Sequence, residues 1–285
     1  MSGNQKPFQR PTRLEEIYQR EINRLLKRYF QFPDTATLGE ITARLVEYGH
    51  AENFLQGFAT TLAKRMITQV RQYNATSWRQ AAQQGSNGRI IYQMLKRDLS
   101  GAIGVSVDAM VRENAKLITS VPSNVAQVLT KHIQQRQSEG VRSEQIVKEI
   151  RGKVPHLREY QVQRIARTEV AKADTAITRA RAESIGLNWY QWETSEDQRV
   201  RKSHRKMDRV LISWADAPAP EVLVHERSQG HYHAGNIYNC RCVALPIVRL
   251  DEISFPAKVY HNGQIKRLTR RQFVLISGMP LQLAA

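Results

Sequence analysis

The side chains best suited to chemistry lie in the last third of the chain. Cys240 and Cys242 flank a single arginine, and histidines stand at 204, 225, 231 and 233. Residues two apart on a strand point to the same side, so the expected strand Cys240–Ile247 would set the two thiols together. Two thiolates and two imidazoles can complete a tetrahedral zinc site. His204 is the expected third ligand and His233 the fourth, with structural zinc the one cofactor the pattern suggests. The spacing is tighter than in the usual zinc knuckles, and the cysteines can equally be small buried core residues. A disulfide between such close neighbours would be strained, which suits a reducing compartment.

A second group is ionic. Glu169 falls seven residues after Val162 and four before Ala173, on the apolar face of an expected helix. A carboxylate there must find a partner or shift its pKa. Arg199 and Arg201 are the expected partners, and with Asp197 they form a structural ion-pair cluster tying helix to loop. The same cluster with His204 resembles a nuclease site in residue type, since general acid–base chemistry on a phosphodiester uses a carboxylate, a histidine and cations. Paired acids for a two-metal centre are missing from it, so no catalytic residue is assigned.

Apolar periodicity predicts the elements that must carry these groups. Helices are expected over Leu14–Phe30, Leu38–Tyr48, Ala51–Tyr73, Ile90–Leu99 and Val107–Leu117, with turns between 74 and 88 and a loose arm over 1–12. Pro122 is expected to open a further helix, and Ser143 to cap another that Gly152 and Pro155 stop. A long helix follows from Arg158 to Ile185, closed by Gly186, with Ala173, Ala176, Ile177 and Ala180 on its inner face. Strands are expected at Leu187–Glu193, Val210–Trp214 and Cys240–Ile247, separated by a long loop. Asn262-Gly263 suits a type I′ hairpin turn within 258–266, and Thr269 with Gln272 a capping box for a last helix. The fold class is α+β: a mainly helical N-terminal two-thirds, then a small α+β region with short strands and a long loop.

Composition narrows the setting. The chain has 285 residues, 41% hydrophobic, with 43 Lys+Arg against 26 Asp+Glu and a formal charge of +17. No apolar run approaches the roughly 20 residues of a membrane helix, and no signal-peptide core follows Met1; a cytoplasmic site of synthesis and no membrane partner are expected. The dispersed positive charge favours a polyanion, most simply DNA bound without sequence preference.

Four patterns in order carry a resemblance: Asn114-Ala-Lys-Leu-Ile118; Arg164-Ile-Ala-Arg-Thr-Glu169; Trp192 followed by Asp197-Gln-Arg-Val-Arg-Lys-Ser-His204; and Gly235 followed by Asn239-Cys-Arg-Cys242 and Pro246. Over about residues 110–247 the series resembles the phage Mu F-like, or phage minor head protein, family. It departs at Ala234, where the family often has proline. The resemblance implies a minor capsid protein of bacteriophage head morphogenesis, not an enzyme, located in the virion and, during assembly, the host cytoplasm. It implies the portal protein as partner, with scaffold and major capsid protein as further ones, and contact with packaged DNA. The expected division is a helical region over 1–110 for portal or capsid contact, the family domain over 111–250, and a hairpin with a short helix over 251–285. The alternative is a nucleic-acid-processing, nuclease-like enzyme using Glu169, Asp197, Arg199 and His204.

Overall fold

The computed structural model describes residues 7–27, 29–84, 88–96 and 100–278. Residues 1–6 of the expected arm, the turn residues Gly85, Ser86 and Asn87, and the expected helix end at 97–99 lie outside them. Among the described residues there are eight helices, mainly on the N-terminal side, and the structure is 64% helical; a small five-stranded mixed sheet lies in the C-terminal region, as the α+β reading anticipates. The helices are α1 (Thr12–Lys27), α2 (Leu38–Tyr48), α3 (Ala51–Gln84), α4 (Gly88–Lys96), α5 (Ser100–Ser138), α6 (Ser143–Ser184), α7 (Lys202–Met207) and α8 (Arg270–Ser277). The strands are β1 (Trp189–Glu193), β2 (Leu211–Ser213), β3 (Val243–Pro246), β4 (Ala257–His261) and β5 (Gln264–Leu268).

Three expected helix breaks do not occur. Asn74 and Ser77, read as turn residues, sit inside α3, because a tertiary partner satisfies Asn74 better than its own backbone could. Its amide donates to Asp174 Oδ1 at 2.8 Å and Thr178 Oγ1 at 2.6 Å, and its carbonyl accepts from Arg181 at 2.6 Å. Pro122 lies within α5 rather than opening a helix. The lost backbone bond is offset by burial of Ile118, Val121 and Val125 around it. Pro155 and Gly152 are likewise inside α6, whose buried row Ile146, Ile150, Val154 continues to Val162 and Ile165.

Two compact units interleave along the chain. One comprises Thr12–Thr68 and Ser106–Glu169. It is helical, with a core of Tyr18, Ile22, Leu26, Ile41, Leu45, Val111, Ile118, Leu129 and Ile150. Thr37 and Glu40 form a capping box at the start of α2. Glu149 of α6 is held low by Arg136 of α5, which donates to it at 2.8 and 3.0 Å.

The other unit comprises the described residues of Met1–Pro11, Gln69–Val105 and Val170–Ala285. Its sheet has the order β3-β1-β2-β4-β5. All pairings are antiparallel except β2 with β4, where Leu211 lies beside Val259. Alternation along β1 sends Tyr190 and Trp192 into the main core with Trp78, Ile212 and Trp214, while Trp189 faces a second cluster with Leu211, Val259 and Phe273. The C-terminal α8 therefore covers the sheet's second face, its Phe273 ring 5.1 Å edge-on from Trp189. Asn262 and Gly263 both take positive φ (52° and 77°), as the type I′ turn requires, and Thr269 with Gln272 caps α8.

Candidate metal centre

The centre is assembled from the short helix α7 before β2 and an irregular segment after it. After β1 the chain turns back: Arg209 N donates to Trp192 O at 2.8 Å, and Asp208 accepts from both the backbone and hydroxyl of Thr194 at 3.0 and 2.7 Å. The clasp sets α7, whose inner face buries Ser203, His204 and Met207. The second segment comes off α6 at Gly235. There φ is +83°, and a Cβ would lie 2.4 Å from Thr175 Oγ1. That hydroxyl donates to Ala234 O at 2.8 Å, so Ala234, the departure from the family pattern, still provides an anchor. Asn239 then adopts φ 56°, and the chain passes Cys240 and Cys242 before entering β3.

The cysteines thus precede the strand instead of lying in it, which corrects the expected Cys240–Ile247 strand. They converge all the same. Cys242 N lies 3.5 Å from Cys240 Sγ, curling the short segment around the first sulfur. His204 Nδ1 stands 3.6 Å from Cys240 Sγ and 3.4 Å from Cys242 Sγ. All three residues are buried, and their donor atoms lie within 4.8 Å of one another. For tetrahedral zinc, Zn–S and Zn–N bonds of about 2.3 and 2.05 Å place sulfur and nitrogen about 3.6 Å apart. The observed spacings match that geometry.

The outer contacts also prepare His204 as a ligand. Burial, then the hydrogen bond to Glu221, raises the Tyr232 phenol well above its usual range, so Tyr232 remains protonated and donates to Glu221. Its oxygen accepts from His204 Nε2 at 3.1 Å. With the proton on Nε2, the Nδ1 lone pair faces the sulfurs, the tautomer a metal needs. Trp192 stands edge-on to the imidazole, 5.4 Å away at 79°. The hydrogen bond from Cys242 holds the Cys240 thiol well below the usual thiol range against its burial, and the same bond with burial pushes Cys242 up. A bound thiophilic metal would replace the proton the sulfurs share.

Of the four expected ligands, three meet. His233 is placed elsewhere: Nδ1 lies 3.2 Å from Tyr190 Oη and Nε2 3.4 Å from Arg179. It is wedged edge-on between Tyr190 and Trp214. Burial, then Arg179, pulls its pKa down to about 4, so it is neutral near pH 7. It serves as a core side chain. His231 meets Ala217 O at 2.9 Å, and His225 ends a 3-10 turn at φ 60°.

The ionic residues also have other partners than expected. Glu169 is buried and accepts from Asn114 Nδ2 at 2.9 Å, joining the first two sequence patterns. Tyr18 donates to Asn114 Oδ1 at 3.3 Å, and burial followed by Glu169 raises its pKa. Asp197 pairs with Arg241, the residue between the cysteines, and accepts from Arg199 N at 2.9 Å. Arg201 donates to Tyr238 O at 2.9 Å and lies over that ring. Sequence reasoning missed the buried face of α6 formed by Asp174, Thr178 and Arg181, although their i, i+4, i+7 spacing marks one face. There Ala176 and Ala180, expected inside, are only half-buried. Burial raises Asp174 to about 6 and lowers Arg181 to about 10.

Comparison with known proteins agrees with the segment carrying this centre. Residues 123–245 match the family model of phage Mu protein F like protein. The match runs from the middle of α5 into β3 and includes His204, Cys240 and Cys242. An uncharacterized protein of Haemophilus influenzae (strain ATCC 51907 / DSM 11121 / KW20 / Rd) is similar at 25% identity over 219 residues, covering 69% of this chain and 46% of that protein. The chain thus spans less than half the length of this relative. No solved structure matches. Among the described residues, no helix is long and apolar enough to cross a membrane.

Proposed function

We propose that this phage Mu F-like protein is a minor head protein acting in procapsid assembly, associated with the portal and with packaged DNA. The observation that carries the reading is the family match over 123–245. The charge of +17, spread along the chain without a base-reading motif, supports contact with DNA through phosphates. The helical N-terminal region, residues 1–110, is the proposed portal or capsid contact, since amphipathic helices can offer faces to partner helices. Scaffold and major capsid protein are further proposed partners, and the particle interior or portal vertex the proposed location. His204, Cys240 and Cys242 are proposed to hold a structural zinc, supported by their spacing and by the contact of His204 Nε2 with Tyr232, which leaves Nδ1 toward the sulfurs. Zinc would fasten α7 to the irregular segment between β2 and β3.

Co-expression with the portal protein of the same phage tests the reading. The intact protein is expected to co-purify with portal, and its affinity for DNA to fall on the order of a thousandfold between 50 and 200 mM salt if about six phosphates are contacted. A protein that binds neither portal nor any other procapsid component overturns it.

A further inference from the structure

The proposed zinc leaves one corner of its tetrahedron without a protein ligand. Among the described residues, the group of closely spaced donors has three members, His204, Cys240 and Cys242. Zinc bound by two thiolates and a neutral imidazole carries no net charge, so the centre itself calls for no counter-cation. Yet the cleft of about 70 Å³ that opens on these three residues is also lined by Arg199, Arg201 and Arg241.

Asp197 neutralises only part of that charge, through Arg241. Arg201 spends one N–H on Tyr238 O, while its Nη1 is buried without a hydrogen-bond partner, as is Nε of Arg241. Buried guanidinium N–H groups left unpaired are costly, and here two of them belong to the residues lining one small cleft. About 70 Å³ gives room for a few waters or one tetrahedral oxyanion.

The geometry points to a metal centre that is open on one side and takes a phosphate-type oxyanion as its fourth ligand. One oxygen would complete the coordination shell, and the others would accept from Arg199, Arg201 and Arg241. The anion supplies the negative charge that the neutral metal–ligand set lacks, so metal and arginines favour it together. Its chemistry is shared by free inorganic phosphate, a nucleic-acid end and the nucleic-acid backbone. The inference rests on the metal reading above.

Cobalt-substituted protein tests it, because visible absorption of Co²⁺ reports coordination directly. Thiolate-to-cobalt charge transfer and strong d–d bands are expected, and inorganic phosphate should shift the d–d bands saturably. The Arg199→Gln/Arg201→Gln variant should keep the bands and bind phosphate roughly tenfold or more weakly. His233→Gln should leave the bands and their phosphate response unchanged. A response to a 5′-phosphorylated oligonucleotide but not to its 5′-hydroxyl counterpart assigns the site to strand ends; a response to both assigns it to the backbone; a response to inorganic phosphate alone assigns it to the free ion. Absence of the cobalt bands overturns the metal reading and this inference with it. Intact bands that ignore all three probes overturn the open position alone.

Discussion

Each of the two compact units is stabilised internally in its own way. In the helical unit, α1, α2 and the parts of α3, α5 and α6 that belong to it bury rows of Leu, Ile and Val at helical spacing, with Asn114 and Glu169 as a small polar inclusion. In the sheet unit, the strands are three to five residues long, and the loops that join β1, α7, β2 and β3 are fastened by individual side chains: Thr194 on Asp208, Thr175 on Ala234, Tyr190 on His233, and the thiols on His204. A repetitive apolar core loses a fraction of its stability when one residue changes. A loop fastened at a few points can come loose when one of them is cut. The comparison predicts that single polar substitutions damage the sheet unit out of proportion to their size.

The largest effect should come from Cys240→Ser. If zinc is bound, about one equivalent should be lost, with a fall in stability on the order of several kcal/mol. Hydrogen exchange should rise across 194–242 while protection within Thr12–Thr68 stays as it was. Unchanged exchange in 194–242 would show the cysteines to be ordinary core residues.

His233 sharpens the contrast through pH. Its folded pKa of about 4 lies below the ordinary 6.5, so the unfolded chain takes up the proton first. Its contribution is full above pH 6.5 and is lost as pH falls toward 4, worth on the order of 3 kcal/mol. Asp174 works the other way, since its raised pKa of about 6 costs stability as pH rises from about 4 to 6. The informative quantity is therefore the difference between wild type and His233→Gln, measured by denaturant unfolding. That difference should shrink between pH 6.5 and 4, and a pH-independent difference would contradict the assignment.

The smallest effect is a matched pair of glycines, one in each unit. Gly140, at φ +73°, has open space where a Cβ would go, whereas Gly235 at φ +83° meets Thr175. Gly140→Ala should cost about 1–2 kcal/mol, the left-handed penalty alone. Gly235→Ala should cost about 1 kcal/mol more by breaking the Thr175 hydrogen bond. Equal costs by chemical denaturation would mean that the loop yields to α6 and is not pinned there.

Local signals were legible where local physics decides. The Thr269–Gln272 box, the Asn262-Gly263 turn, α2 and the αL closure at Gly186 follow from capping and turn chemistry within a few residues. What misled is equally physical. Asn74 and Pro122 are poor helix residues by propensity, and only partners distant in sequence or burial on both sides explain their places. His204 could be matched to the cysteines by residue type, but His233 could not be excluded without knowing that Tyr190 and Trp214 enclose it. Arg241 was overlooked because, between two cysteines, it reads as a spacer.

The β4–β5 hairpin offers a practical handle. Its tip, Asn262-Gly263, is exposed and held by five register pairs below it, and lengthening a surface turn costs little closure entropy. An epitope or fluorophore-accepting peptide inserted there should leave the sheet and α8 in place. Labelled this way, the protein could be located within an assembled procapsid by imaging, without altering the N-terminal region proposed to meet the portal or the cleft beside His204.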